Sequence, residues 1–350
     1  MKSEGLVKNK KIGVLLINLG TPNSPEKKQV RQYLQEFLSD KRVIDIPWIF
    51  RILLLYCIIL PFRTKKSAKA YKKIWLKEGS PLFVHSKNLV ENVQVCLGEN
   101  YIVELAMRYQ HPSINNAIKK LFHHKIEHGV IVPLFPQYSS AANGSALQKV
   151  HEEWKNHWNV VPLTTVGAFY EYKNFIQCFV RRIESVLENF HADYLLLSYH
   201  GLPERHILKS DCGQKKTCLK ENNCCENFSQ NAPFCYKAQC LSTTKAIVSQ
   251  LKAIPHSTSF QSRLGRTKWI DPDTTEVLPQ LFQQGFKRLA VVCPAFVADC
   301  LETLEEIEIR AREQWLLLGG ESLVLVPSLN GGQDWALAVA NMVREHTPHA

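Results

Sequence analysis

Five stretches of the chain are apolar at nearly every position rather than at every second one. They are residues 11–19 (KIGVLLINL), 129–135, 193–199, 288–296 and 322–327. Such runs fit strands buried on both faces of a parallel sheet, since a strand with one wet face alternates. Between them, apolar residues recur with helical spacing at 29–38, 174–190 and 300–317. Strand and helix in alternation predict an α/β fold with parallel sheets.

The pattern also repeats. VLLINLGTP at 14–22 is similar to LLLSYHGLP at 195–203, and VIVPLFPQYSS at 130–140 to AVVCPAFVADC at 290–300, in the same order. The expectation is two similar α/β lobes, residues 1–165 and 166–350, facing one another across a cleft. Ligands in such folds sit beyond the carboxyl ends of the strands, so the loops after these four runs should converge.

One further stretch breaks the pattern. Residues 46–62, IPWIFRILLLYCIILPF, are membrane-like, but Arg51 interrupts them, Pro47 and Pro61 bound them, and they are too short to span a bilayer comfortably. Two placements fit, an apolar lip lying in the plane of a membrane or a helix buried in the core. Charge bears on the choice. The net charge is +11, and Arg63, Lys65, Lys66, Lys69, Lys72, Lys73 and Lys77 follow the stretch directly. That arrangement suits acidic lipid headgroups, and no nucleic-acid-binding motif accompanies it. Residues 8–19 imitate the start of a signal peptide without a small-residue cleavage site, so a cytoplasmic location is expected.

Two loops could carry chemistry. Ser198-Tyr199-His200-Gly201-Leu202-Pro203 puts an imidazole at a strand's carboxyl end, where it could accept protons near neutral pH or ligate a borderline metal. Asp299 and Glu302 follow the run at 288–296. Their spacing is also a helix-capping pattern, while Glu302 and Glu306 share a helix face as an acidic line. Six of the eleven cysteines crowd into residues 211–240, which contain no histidine. Clustered thiols in an intracellular chain favour metal over disulfides. With no CxxC pair, spacing leaves an iron–sulfur cluster and a four-cysteine zinc site both open.

LSYHGLPER at 197–205 resembles the signature of ferrochelatases. The likeness continues through Asn18-Leu19-Gly20-Thr21-Pro22, Tyr71 with Gly79-Ser80-Pro81-Leu82, Met107-Arg108-Tyr109, residues 133–139, Gln261-Ser262-Arg263 with Trp269 and Pro272, and Glu302-Thr303-Leu304. The resemblance implies two Rossmann-like lobes of the class II chelatase kind. It implies a lyase that inserts Fe²⁺ into protoporphyrin IX or coproporphyrin III late in haem biosynthesis. His200 would take pyrrole protons, and Glu302 would assist proton transfer or metal approach, both near the Fe²⁺ substrate. Leu19, Tyr71, Arg108, Tyr109, Trp269, Phe296 and Asp299 would line the porphyrin cleft, Arg108 without a fixed partner and Asp299 orienting its neighbours or capping its helix. By analogy the lip rests peripherally on a bacterial inner membrane. Relatives with an internal insert imply a [2Fe–2S] cluster held by Cys218, Cys235, Cys240 and one of Cys224 and Cys225, with Cys212 in reserve.

Two departures stand out. Cys300 replaces a second histidine of the animal-type family, and Arg310 interrupts the acidic line. Rival readings are a chelatase for a more carboxylated tetrapyrrole, a haem or metal carrier without turnover, and an iron sensor using only the cysteines.

Overall fold

The computed structural model describes residues 10–212, 218–220, 224–225, 233–265 and 267–348. Two four-stranded, all-parallel sheets form its frame. The first comprises β1 (Ile12–Gly20), β2 (Tyr101–Tyr109), β3 (His128–Pro133) and β4 (Leu163–Thr165), in the order β2-β1-β3-β4. The second comprises β5 (Tyr194–His200), β6 (His256–Gln261), β7 (Arg288–Val292) and β8 (Ser322–Leu325), in the order β6-β5-β7-β8. The two orders are the same topology, so the sequence repeat reflects a repeated lobe.

The unbroken apolar runs have a direct cause. Successive side chains leave β1 on opposite faces, and both faces are covered. Leu15 and Ile17 pack with Ile118 and Val150, while Val14 and Leu16 join a larger core with Phe175, Phe179 and Trp335. In β5, Leu195 and Leu197 belong to that larger core, and Leu196 faces Val277 and Trp315. The last helix, Gln333–Glu345, packs back on helix Pro81–Leu97 of the first lobe.

Three strands lie outside the apolar runs. β2 carries Glu104 and Arg108, β4 is three residues long, and β6 reads HSTSFQ. Toward its carboxyl end the polar residues of β6, Ser259 and Gln261, are buried in hydrogen bonds rather than wet. Ser198 Oγ donates to Gln261 Oε1 at 2.7 Å, and the hydroxyls of Ser259 and Ser198 lie 2.9 and 2.8 Å from Thr274 Oγ1.

The expected single helix over 300–317 is a π-helical stretch, Leu301–Ala311, continuing as α-helix Arg312–Leu317. The lip is helical too. Helix Trp48–Leu53 widens into a π-helical segment, Leu54–Ile59, and runs on as helix Leu60–Ile74. The widening falls just before Pro61, whose missing N–H and bulky ring disfavour a regular α-turn. Trp48, Ile49, Phe50, Leu53, Ile58 and Phe62 are all more than half exposed, so this is no buried core helix. Among the described residues, no helix is long and apolar enough to cross a membrane.

Candidate active site

In each sheet the chain reverses its winding direction between the two central strands, and loops on either side of such a switch part to form a crevice. The two crevices face each other as one cleft. Leu19, Tyr33, Phe37, Tyr71 and Ile74 line it from the first lobe; His200, Leu202, Phe296, Cys300 and Glu302 line it from the second. No lysine or arginine is among its described lining residues.

Glycine makes the close turns possible. Gly20 has φ +113°, and a Cβ there would collide with the carbonyl oxygen of Tyr109 at the end of β2. Gly201 donates its N–H to Gln261 O at 2.7 Å, and a Cβ there would lie 2.8 Å from that oxygen.

This turn sets the state of His200. Its Nδ1 lies 2.6 Å from Gly201 O. A carbonyl can only accept, so Nδ1 carries a proton, and in the neutral ring the lone pair falls to Nε2. Tyr236 Oη donates to the His200 carbonyl at 2.9 Å, and Phe296 meets the imidazole edge-on with centroids 6.2 Å apart. Glu302 stands one residue into the π-helical stretch. Gln261 Nε2 donates to its backbone oxygen at 2.8 Å while Gln261 Oε1 accepts from Ser198, two residues before His200. Gln261 thus braces both candidate catalytic groups. The sequence showed it only as a motif residue at the end of a polar segment.

The neighbours of Glu302 are held neutral. Burial, then the nearby Glu302 carboxylate, pushes the Cys300 thiol well up. Burial and Glu302 likewise raise Tyr71, and burial with Tyr71 raises Tyr33. The first-lobe wall therefore presents neutral groups alone, phenols, hydroxyls and amides among hydrocarbon.

Several residues expected along the cleft stand elsewhere. Arg108 has a fixed partner after all, its Nη2 lying 2.7 Å from Asp40 Oδ2 and its Nε donating to Ser145 Oγ at 2.7 Å. Tyr109 is fully buried and donates to the same Asp40 oxygen at 3.0 Å. Burial alone would raise Asp40, but the hydrogen bonds from Ser145 and the Arg42 N–H, with the charge of Arg108, leave it below the ordinary carboxylate range. Trp269 backs the signature loop, pairing with Pro203 and donating Nε1 to Leu264 O at 3.0 Å. Asp299 is buried and accepts from Thr303 Oγ1, Ser328 N and Asn330 Nδ2, whereas Cys300 caps the helix. Asp299 orients its neighbours without capping. Farther along, Glu306 accepts from Ser262 N at 2.8 Å and Ser262 Oγ at 2.5 Å, with Arg310 at 3.8 Å. The acidic line is pinned and partly neutralised beyond Glu302.

A four-thiolate centre needs four sulfurs around one small volume. Cys235 heads helix Tyr236–Val248, flanked by the thiols of Cys225 and Cys218. The Cys225 thiol foremost, then the N–H of Ala238, outweigh burial and pull Cys235 down from its ordinary value. Cys224 Sγ lies 4.0 Å from Cys225 Sγ. Cys240 is wholly buried against Tyr236 in the core, and Cys212 is exposed. Among the described residues, no three or more His, Cys, Asp or Glu side chains form a metal-holding set. The expected ligand set is therefore met only as a row of neighbouring thiols, and no chemical step is derived through a cluster.

Two solved structures share this doubled architecture. One is SirB from Bacillus subtilis with Fe³⁺, at TM-score 0.57 and 11% identity over 96% of this chain and 95% of that one. The other is the sirohydrochlorin chelatase SirB from Bacillus subtilis subspecies spizizenii in complex with cobalt, at TM-score 0.54 and the same identity and coverage. At that identity the likeness defines the fold alone. Sequence comparison is narrower. The ferrochelatase family model matches residues 11–347. A ferrochelatase of Coxiella burnetii (strain Dugway 5J108-111) is 48% identical over 96% of this chain and 94% of its own length. One of Legionella pneumophila (strain Philadelphia 1) is 47% identical over 95% and 98%. The chain belongs to the ferrochelatase family, lyases that insert iron into a porphyrin in haem biosynthesis.

Proposed function

We propose that the chain metallates protoporphyrin IX, with His200 and Glu302 dividing the two pyrrole protons. The observation that carries this is the contact of His200 Nδ1 with Gly201 O, which in the neutral ring leaves Nε2 as the proton acceptor of a residue that lines the cleft. One imidazole can take one proton. The second needs another acceptor, and the Glu302 carboxylate lines the same cavity. An apolar cleft without a lysine or arginine in its described lining favours the less carboxylated ring, because each buried propionate would lack a counter-ion.

The lip supports a peripheral membrane surface. Its exposed Trp48, Phe50 and Phe62 lead into exposed Lys65, Lys66 and Lys69, an apolar edge beside a basic one. For the insert, Cys218, Cys225 and Cys235 are the thiols that stand together, without forming a metal-holding set among the described residues.

The test is anaerobic Fe²⁺ insertion by the purified protein, with protoporphyrin IX and coproporphyrin III in competition, after recording the visible spectrum. Preferential metallation of protoporphyrin IX is expected. Preference for coproporphyrin III would remove the specificity argument, and no insertion into either would remove the reading itself.

A further inference from the structure

One carboxylate outside the cleft joins the two lobes. Asp45 lies in the connection 40–47, between helix Lys27–Ser39 and the lip, and its side chain is 11% exposed. Its Oδ1 is 2.5 Å from Arg205 Nε and 3.2 Å from His206 Nε2, and its Oδ2 is 2.6 Å from Lys209 Nζ. All three partners lie on one short helix, Glu204–Ser210, which follows the His200-Gly201-Leu202-Pro203 turn directly.

The far end of the same connection is anchored differently. Asp40 is bound to Arg108, Tyr109 and Ser145, all in the first lobe. Arg51, on the first helix of the lip, donates to the carbonyls of Ile44 and Ile46 at 3.2 Å and so closes the connection onto the lip. Residues 40–47 are thus a strap. One end is fixed to the lobe that owns it, the middle holds the lip, and Asp45 reaches across to the helix leaving the catalytic loop. Charge-assisted hydrogen bonds from more than one donor fix direction as well as distance.

We propose that Asp45 is a positioning residue, which sets the separation between the lip and the His200 loop and with it the width of the cleft mouth that takes up the porphyrin. Its effect on turnover rests on the ferrochelatase reading; the cross-lobe tie does not. Because Asp45 acts on the mouth and not on the reacting nitrogens, its loss changes porphyrin binding more than the chemical step.

The experiment compares wild type, Asp45→Asn and Asp45→Glu. Asparagine keeps the shape and loses the charge, and glutamate restores the charge. In Asp45→Asn the KM and fluorescence-measured Kd for protoporphyrin IX should rise about five- to tenfold, with kcat within about twofold. Asp45→Glu should recover most of the loss. Hydrogen exchange at residues 48–62 and 204–210 should quicken together in Asp45→Asn. A folded Asp45→Asn protein with unchanged Kd, or a fall in kcat at constant KM, would overturn the positioning role. If wild type binds porphyrin without metallating it, the function reading fails, and Kd with hydrogen exchange still decides the role of Asp45. If it binds no porphyrin, hydrogen exchange alone decides: paired quickening upholds the tie, and quickening in neither segment overturns it.

Discussion

Removing Asp40 tests whether Arg108 serves the fold or the substrate. In Asp40→Ala the Arg108 guanidinium, 16% exposed, loses its carboxylate, and Tyr109 and Ser145 lose an acceptor. Breaking a buried pair by deleting one partner costs about 3–5 kcal/mol, because the remaining charge stays desolvated. Unfolding entropy of roughly 2.1 cal/mol/K per residue gives about 0.7 kcal/mol/K for a chain of this length, so Tm should fall by about 4–7 °C. The double variant Asp40→Ala/Arg108→Met, which removes the stranded charge, should recover to within about 2 °C of wild type. The pH dependence has a definite sign. A carboxylate held below its ordinary value stabilises the fold above that value, and the contribution is lost as pH falls through the depressed one. The Tm gap between wild type and Asp40→Ala should therefore be constant above about pH 5 and close in more acid solution, below the ordinary carboxylate value of about 4. Differential scanning fluorimetry across pH, with porphyrin titrations at neutral pH, provides both readouts. A Tm shift under about 1 °C, together with lost porphyrin affinity, would refute the reasoning and make Arg108 a propionate ligand.

The remaining expectations concern the cleft. His200→Ala should slow iron insertion at least about 100-fold while porphyrin binding stays within about twofold; turnover above a tenth of wild type would remove its role as base. Glu302→Gln should slow metallation at saturating porphyrin by about 10–100-fold, and an unaffected rate would leave the residue with only a place in its helix. Tyr236→Phe deletes the hydrogen bond to the His200 carbonyl, worth about 1 kcal/mol, and should lower kcat severalfold with Tm changed by no more than about 2 °C. An unchanged kcat would show that the Gly201 contact alone orients the imidazole.

What could be read from the sequence was set by burial. The central strands β1, β3, β5 and β7 are covered on both faces and announce themselves as apolar runs, as does β8. β6 does not, because its buried end, Ser259 and Gln261, is satisfied by hydroxyl and amide hydrogen bonds that composition cannot distinguish from a wet loop. The same limit hid Gln261, whose work lies in two hydrogen bonds to residues far away in sequence. Arg108 illustrates the converse. Its motif placed it near the cleft, but its partner, Asp40, lies in a segment without periodicity, and only the fold brings the two together. The π-helical stretches were also invisible, since a helical apolar period does not distinguish i→i+5 from i→i+4 bonding over two or three turns.

The repeat explains why the site is asymmetric. Aligning VLLINLGTP with LLLSYHGLP places Leu19 over His200 and Gly20 over Gly201. The structure gives the two glycines the same job. Gly20 comes against the carbonyl of Tyr109 at the end of β2, Gly201 against the carbonyl of Gln261 at the end of β6, and β2 and β6 hold equivalent places in their sheets. Each lobe thus delivers one side chain, just before its glycine, to the shared cleft. In the first lobe that side chain is hydrocarbon, suited to the face of a flat apolar ring. In the second it is an imidazole whose Nδ1 is already fixed by the turn that follows. The third-strand loops both line the cleft, the first lobe's through Leu134 and Phe135 and the second lobe's through Ala295 and Phe296, with Cys300 and Glu302 following farther along. Under the proposed roles of His200 and Glu302, one lobe would hold the macrocycle and the other do chemistry on it, and the exchange of Leu19 for His200 at one matched position of a common backbone is where the two tasks part.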